Sequence, residues 1–373
     1  MGFVERRPGD GAYRARYRDP LGRQRSKTFV RKADADRFLA EMTVDKSRGA
    51  WIDPRGADMP LARWAEEFLA LARRLSRTTQ QTYRRDLERY VLPRFGAYRL
   101  GRLPADEIEN WLNDELDAGL APSSVHRHYR TLRRVLQVAV EKKKISVNPC
   151  LGVAAPRVPK REMAFLSWEQ VVDLAEAHSD RYRALIYLAV DSGMRWSELV
   201  GLRRTRIDLR HGKVRVTEQL VRLDGGEWIR KEPKTNASVR SITISSSSVE
   251  LLARHLGLFS EARPDGLVFP NGAGRPLVSS SFWNNHFAPA LGSAGLSCRF
   301  HDLRHTSVAL AIAENAHPKA IQARLGHASI NVTLDRYGHL FPELDAAIAA
   351  SFSERFDAAR RQHTSTGVEA LFE

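Results

Sequence analysis

At 373 residues with 43% hydrophobic side chains, the chain is long enough to fill two or three cores, which excludes a disordered protein. Its 59 Lys and Arg against 44 Asp and Glu leave a net charge of +15, which favours a polyanionic partner such as nucleic acid over an acidic small molecule; a merely soluble basic surface is the alternative. Two cysteines, Cys150 and Cys298, are too few for a disulfide framework or a cysteine-based zinc site, and no apolar run reaches membrane-spanning length, so a reducing, cytoplasmic setting is expected.

Charge is unevenly placed along the chain. Residues 1–60 carry 14 basic and 9 acidic side chains and residues 61–160 carry 19 and 11, whereas residues 161–373 carry 26 and 24. The first 160 residues are therefore where a phosphate backbone would be gripped.

The amino-terminal segment alternates with period two. Tyr13, Ala15 and Tyr17 share one face and Arg14, Arg16 and Arg18 the other, the pattern of a strand with a basic face. A turn at residues 19–23 leads to a second strand at 24–29 carrying Arg25 and Lys27, and a helix is expected from about Lys32 to Ser47. Such a sheet is either a solvated surface or an element laid against DNA, and the segregation of its basic residues favours DNA. The pattern breaks near residues 53–59.

From Leu61 the period becomes helical, with Leu61, Trp64, Ala65, Phe68, Leu71 and Ala72 in one apolar stripe. Further helices are predicted at about 77–94, 104–118 and 122–143, with Thr78 and Ser123 as possible caps and Pro93, Gly96, Gly119 and Pro122 at the breaks. A compact four-helix domain results. Arg84 lies in an early basic helix, and Arg127, Arg130 and Arg134 in a late one; two basic helices in a basic domain point to DNA contact. Residues 148–162, with Pro149, Pro156 and Pro159, read as a linker.

The last domain opens with a helix capped by Ser167, with Glu169 or Gln170 in its first turn, and a second helix over about 181–191. Arg195 and Glu198 stand three residues apart, close enough for the carboxylate to hold the guanidinium. Strand-like runs follow at 213–221, 227–233 and 234–244, with Gly225 and Gly226 as a sharp turn and Lys234 between the second and third runs. The segment Arg299–Tyr337 then brings four arginines, four histidines and a tyrosine into a helical pattern, with Arg304, His301, His305, His327 and Tyr337 among them.

Arg195 in RWSEL, Lys234 in PKTNASVRSI, HDLRH at 301–305, LGH at 325–327 and Tyr337 ten residues past His327 together resemble the tyrosine recombinases, specifically integrases of temperate phages and related mobile elements. Taken singly, RxxE is a weak signal; five motifs in this order are specific. The resemblance covers nearly the whole chain. It implies a mainly helical multidomain protein with small β-sheets: an arm-type DNA-binding domain of sheet plus helix at 1–57, a four-helix core-binding (SAM-like) domain at 58–150, a linker at 151–162 and a mixed α+β catalytic domain at 163–373.

The family chemistry suits these residue types. A phosphodiester repels nucleophiles, and Arg195 and Arg304 each offer a planar fork of donors to its non-bridging oxygens. Tyr337 is expected to attack phosphorus, forming a 3'-phosphotyrosyl bond that conserves the energy of the broken linkage, so that neither ATP nor metal is needed. The resemblance makes Lys234 the general acid for the leaving 5'-oxygen and His327 a donor to the phosphate. His301 is the candidate base and Glu198 the residue orienting Arg195, while His305 is set aside as equally suited to a buried structural role. The partners implied are double-stranded DNA at core-type and arm-type sites, three further copies in a tetramer on DNA and, with an arm-type domain, a host DNA-bending protein and an excision factor. The location implied is a bacterial cytoplasm, with the protein on the nucleoid.

Three other readings stay open at this stage. His301, His305 and His327 could bind a metal, although two arginines in the same site oppose a cation. A non-catalytic DNA-binding regulator could use the same cluster for phosphate. A type IB topoisomerase shares the chemistry, but the separate basic amino-terminal sheet favours a multi-site recombinase. After Tyr337 a helix is expected over about 344–360, followed by a tail bearing Val368, Leu371 and Phe372 that either frays or docks on a neighbouring subunit.

Overall fold

The computed structural model describes residues 2–9, 11–19, 22–47, 54–159, 162–232, 236–341 and 350–361. The chain forms two compact units, Met1–Arg161 and Glu162–Glu373.

The first unit begins with an antiparallel sheet of β1 (Phe3–Arg6), β2 (Tyr13–Arg18) and β3 (Gln24–Phe29), in the order β1-β2-β3, followed by a helix over Lys32–Ser47. The alternation in β2 holds, since Ala15 and Tyr17 are buried against Ala35 and Phe38. β1, too short and too polar to carry a period, is absent from the sequence-based expectation. It changes the basic face: Glu5 pairs with Arg14 in register and takes Arg16 Nε at 2.7 Å, with Arg14 Nη1 at 3.7 Å. Lys27 lies over the Phe38 ring at 4.9 Å, and Arg18 donates to the Gly22 carbonyl at 3.0 Å. Much of the charge expected to face DNA thus already has partners within the sheet.

Helices over Leu61–Leu71, Arg77–Asp86, Ala105–Asp117 and Pro122–Glu141 follow. The second continues through a π turn at Leu87–Val91 into Leu92–Phe95, matching its predicted length. Their apolar stripes meet in one core around Trp64, Phe95, Ile108, Leu132 and Leu136. Trp64 satisfies its indole N–H on the Val135 carbonyl at 3.0 Å. The caps differ from expectation: Ser76, not Thr78, accepts from the Thr79 N–H, and Pro122 takes the first helical position ahead of Ser123, where its missing N–H leaves one fewer unpaired donor and no side chain caps the helix. Residues read as linker are partly core, since Tyr129 donates to the carbonyls of Cys150 and Val153, and both residues are buried.

The second unit opens with helices over Trp168–Glu176 and Asp180–Ser192. Ser167 and Gln170 form the expected reciprocal cap on the first of these. The predicted strand over 213–221 is broken at Thr217, and its halves join different sheets. β4 (Ile207–Asp208), β5 (Lys213–Val216) and β8 (Arg240–Thr243) make a sheet ordered β4-β5-β8, while β6 (Gln219–Arg222) and β7 (Trp228–Lys231) form a hairpin. Gly225 and Gly226 turn that hairpin with φ of +92° and +91°, a region that disfavours side chains. Helices over Ser246–Phe259, Asp302–Ala313, Pro318–Leu325 and Ile330–Tyr337 complete the unit, and its larger core gathers Leu185, Leu188, Phe269, Phe287 and Leu303. Residues 350–361 are helical and exposed, with Phe352 and Phe356 one turn apart. The tail residues Val368, Leu371 and Phe372 lie outside the described residues. Among the described residues no helix is long and apolar enough to cross a membrane.

Candidate active site

Helix ends bring the catalytic candidates together. The helix Asp180–Ser192 stops at Gly193, whose φ of +62° suits glycine and whose added Cβ would sit 2.9 Å from Leu325 Cδ2. The sharp stop places Arg195 as the cap of the next helix, Trp196–Val200. Glu198 then reaches back, taking the Arg195 backbone N–H on Oε2 and its Nη1 on Oε1, both at 2.9 Å. Its carboxyl is buried and would rise in pKa on that account, but hydrogen bonds and charge from Arg240 and Arg195 hold it below the usual carboxylate range.

Arg304 lies in the first turn of Asp302–Ala313 and is only 3% exposed. It donates through Nη1 to the Gly193 carbonyl and through Nη2 to the Leu325 carbonyl at 2.8 Å, while Nη2 also lies 3.2 Å from His327 Nε2. Burial, then the Arg195 charge, lowers its pKa to about 9. His327 follows the left-handed Gly326 at the end of Pro318–Leu325, and its Nδ1 meets Thr333 Oγ1 at 2.9 Å. Thr333 belongs to the same helix as Tyr337, so this contact ties that helix to the arginine cluster.

Tyr337 is 1% exposed, and its phenolic oxygen lies 2.6 Å from Nδ1 of His305, not from His301. The histidine set aside on sequence grounds is therefore the one in contact with the candidate tyrosine. Helical spacing offered both, one turn apart, and the approach of Ile330–Tyr337 selects between them. Burial raises the Tyr337 pKa above its ordinary value, so the phenol is held protonated. His301 sits exposed at the helix start with its ring 5.0 Å from His305, and desolvation, then the Arg304 charge, lowers its pKa.

The metal reading fits this geometry poorly. Among the described residues no group of three or more His, Cys, Asp or Glu is placed to hold an ion, and both His327 nitrogens and His305 Nδ1 already face other partners. Lys234 lies outside the described residues.

The DNA-binding candidates divide. In the first unit Arg127, Arg130 and Arg134 line one open cleft with Tyr83, Arg133 and Gln137. Arg127 is anchored there by Asp86 at 3.2 Å. Arg84 lies apart, exposed and paired with Glu88 at 3.2 Å.

Burial lowers the pKa of His305 and His327 to about 4, against an ordinary 6.5, and also lowers His178 and His255. These groups bind protons more weakly folded than unfolded, so the stability they contribute is complete above about pH 6.5 and drains away as pH falls towards 4. Thermal melts of the full chain are expected to show a falling transition for the catalytic unit between pH 7 and 4.5. A transition that stays flat to pH 5 would contradict this.

The chain is similar to known proteins in sequence and in fold. A model described as "Phage integrase family" matches residues 164–343, and one described as "Phage integrase, N-terminal SAM-like domain" matches residues 63–143. A putative prophage phiRv2 integrase of Mycobacterium tuberculosis is 30% identical over 356 residues, covering 92% of this chain and 93% of the relative. The integrase of Mycobacterium phage L5 is 25% identical over 341 residues, covering 88% and 90%. In fold, the chain is similar to the Tn1549 transposon integrase in complex with circular intermediate DNA, at a TM-score of 0.67 and 20% identity over 80% of this chain and 99% of that one. It is also similar to a lambda integrase tetramer bound to a Holliday junction, at 0.58 and 20% over 91% and 94%.

Proposed function

Since the chain belongs to the phage integrase family and is a tyrosine recombinase acting on DNA, we propose that it integrates or excises a mobile element through a 3'-phosphotyrosyl bond made by Tyr337. The observation that carries this is an unbalanced charge: Arg195, Arg240 and Arg304 gather around one carboxylate, Glu198, beside a tyrosine. Buried guanidinium charge in excess of its counter-ion is costly, and an anion arriving between Arg195 and Arg304 relieves it. A phosphodiester is that anion.

In the resting arrangement the phenol is buried on His305, so attack requires Tyr337 to leave that contact and emerge towards a bound strand. Its proton then passes to a neighbour, with His301, exposed at the helix start, the proposed acceptor. Arg195 and Arg304 hold the non-bridging oxygens, His327 donates to one of them, and Lys234 protonates the leaving 5'-oxygen. Arg127, Arg130 and Arg134 grip the core-site backbone from the helical domain at 58–150, with Arg84 at its margin. Arg14, Arg16, Arg18 and Lys27 serve an arm-type site from residues 1–57, after exchanging internal partners such as Glu5 for phosphates. Synapsis of two duplexes takes four copies, as the lambda relative's tetramer on a Holliday junction suggests. Arm binding would bring in a host bending protein and an excision factor.

The test uses nicked duplexes tiled across the DNA flanking the gene, on which a cleaving protein loses its religation partner and stays attached. A covalent adduct is expected on one fragment, at the same yield with or without EDTA. Absence of adduct from every fragment, or its loss on chelation, would overturn the reading.

A further inference from the structure

Arg240 has no place in the expected catalytic set, yet it grips Glu198, the carboxylate that holds Arg195. It opens β8, with its side chain 5% exposed. Nη2 donates to Glu198 Oε2 at 2.9 Å and Nη1 to Oε1 at 3.2 Å. Those same oxygens take the Arg195 backbone N–H and Nη1. Each carboxylate oxygen thus holds one donor from each arginine.

The rest of the fork reaches a second element. Nε donates to the Arg324 carbonyl at 2.7 Å, in the last turn of Pro318–Leu325, and Nη1 also meets the Ser238 carbonyl at 3.1 Å. One residue on, the Leu325 carbonyl takes Arg304. The chain then turns at Gly326, with φ of +67°, where an added Cβ would lie 3.1 Å from both Cδ and Nη1 of Arg240. The turn that delivers His327 is packed directly on this guanidinium.

We propose that Arg240 is a positioning residue for strand cleavage: it fixes Glu198, and through it the remaining donors of Arg195, with its bonds to the turn before His327 serving as its own anchor. The proposal rests on the reading of this site as one that cleaves a phosphodiester. Glu198 bonded to Arg195 alone would be free to swing with it, and the pair would satisfy itself away from the phosphate. With Arg240 on the other side, the carboxylate is saturated and stationary, and Nη2 and Nε of Arg195, which meet no partner among the described residues, are left for the substrate. Only a planar fork with five donors reaches the Glu198 carboxylate and the Arg324 and Ser238 carbonyls at once; a lysine reaches one.

A buried arginine could also serve stability alone, and the experiment separates the two. The full chain carrying Arg240→Gln or Arg240→Lys is compared with the unmodified protein on the nicked duplex that traps the adduct, measuring DNA affinity and single-turnover adduct formation separately. The expected result is affinity within about threefold of the unmodified protein, with adduct formation slowed about a hundredfold in Arg240→Gln and about tenfold in Arg240→Lys, where one contact is restored. In an Arg195→Lys background, Arg240→Gln is expected to add little further loss, because it acts through Arg195. Adduct formation at the unmodified rate, or losses that multiply with those of Arg195→Lys, would overturn the proposal, as would a rate loss explained wholly by lost folding or binding. If Arg240→Gln melts below the assay temperature, Arg240→Lys carries the same comparison. No adduct from the unmodified protein would instead sink the cleavage reading itself.

Discussion

Replacing Tyr337 with Phe is expected to lower adduct formation by more than about 10⁴-fold, the scale seen when a covalent nucleophile is removed, while duplex affinity stays within a few-fold. The substitution deletes one oxygen. On the proposed mechanism that oxygen is the atom that bonds phosphorus once it leaves His305, so neither the arginines nor His327 can substitute for it. The fold is expected to register the change modestly. His305 Nδ1 loses its partner in a buried setting, which costs about 1–3 kcal/mol, and the aromatic ring still fills the pocket formed with Val308, Ile321 and Leu325. Gel-shift and adduct assays on one nicked substrate measure both quantities. A DNA-binding regulator that uses the cluster only to hold phosphate predicts no change in either, and an adduct that persists in Tyr337→Phe would place the nucleophile elsewhere.

What could be read from the chain depended on whether local spacing or remote approach decides a contact. The helices of the first unit were legible because each carries its own apolar stripe, as Leu61, Trp64 and Phe68 show. The Arg195–Glu198 pair was legible because three residues of helix fix it. The hydrogen bond between His305 and Tyr337 spans 32 residues and depends on how one helix lies across another, which no period encodes. Arg240 had a signal that was overlooked. It shares a strand face with Ile242, opposite Val216 and Val214 on β5, and an arginine on an inward face needs a buried acceptor. The basic amino-terminal face misled for a related reason: alternation shows which side a charge is on, not which carboxylate stands across from it, and β1 supplied Glu5.

Arg304→Lys is expected to cost about 10²–10³-fold in adduct formation, close to what loss of one preorganised transition-state donor costs elsewhere, and to be the most damaging change among the arginines. Its charge is retained, so a site needing only positive potential would tolerate it. Geometry says otherwise. Arg304 spends Nη1 on the Gly193 carbonyl and Nη2 on the Leu325 carbonyl, and those contacts aim the fork while locking together the two turns that lead to Arg195 and His327. A lysine ammonium is compact and can serve one carbonyl or the phosphate, not all of them. The buried carbonyl left unpaired costs about 1–3 kcal/mol, so the melting temperature is expected to fall as well. Catalytic and structural losses separate on a substrate whose scissile phosphate is a neutral methylphosphonate. With one charge removed, less needs to be stabilised, and the deficit of Arg304→Lys is expected to shrink towards the unmodified protein's rate at a temperature where both are folded. A deficit of the same size on charged and neutral substrates would mean that Arg304 holds the fold and leaves the phosphate to Arg195.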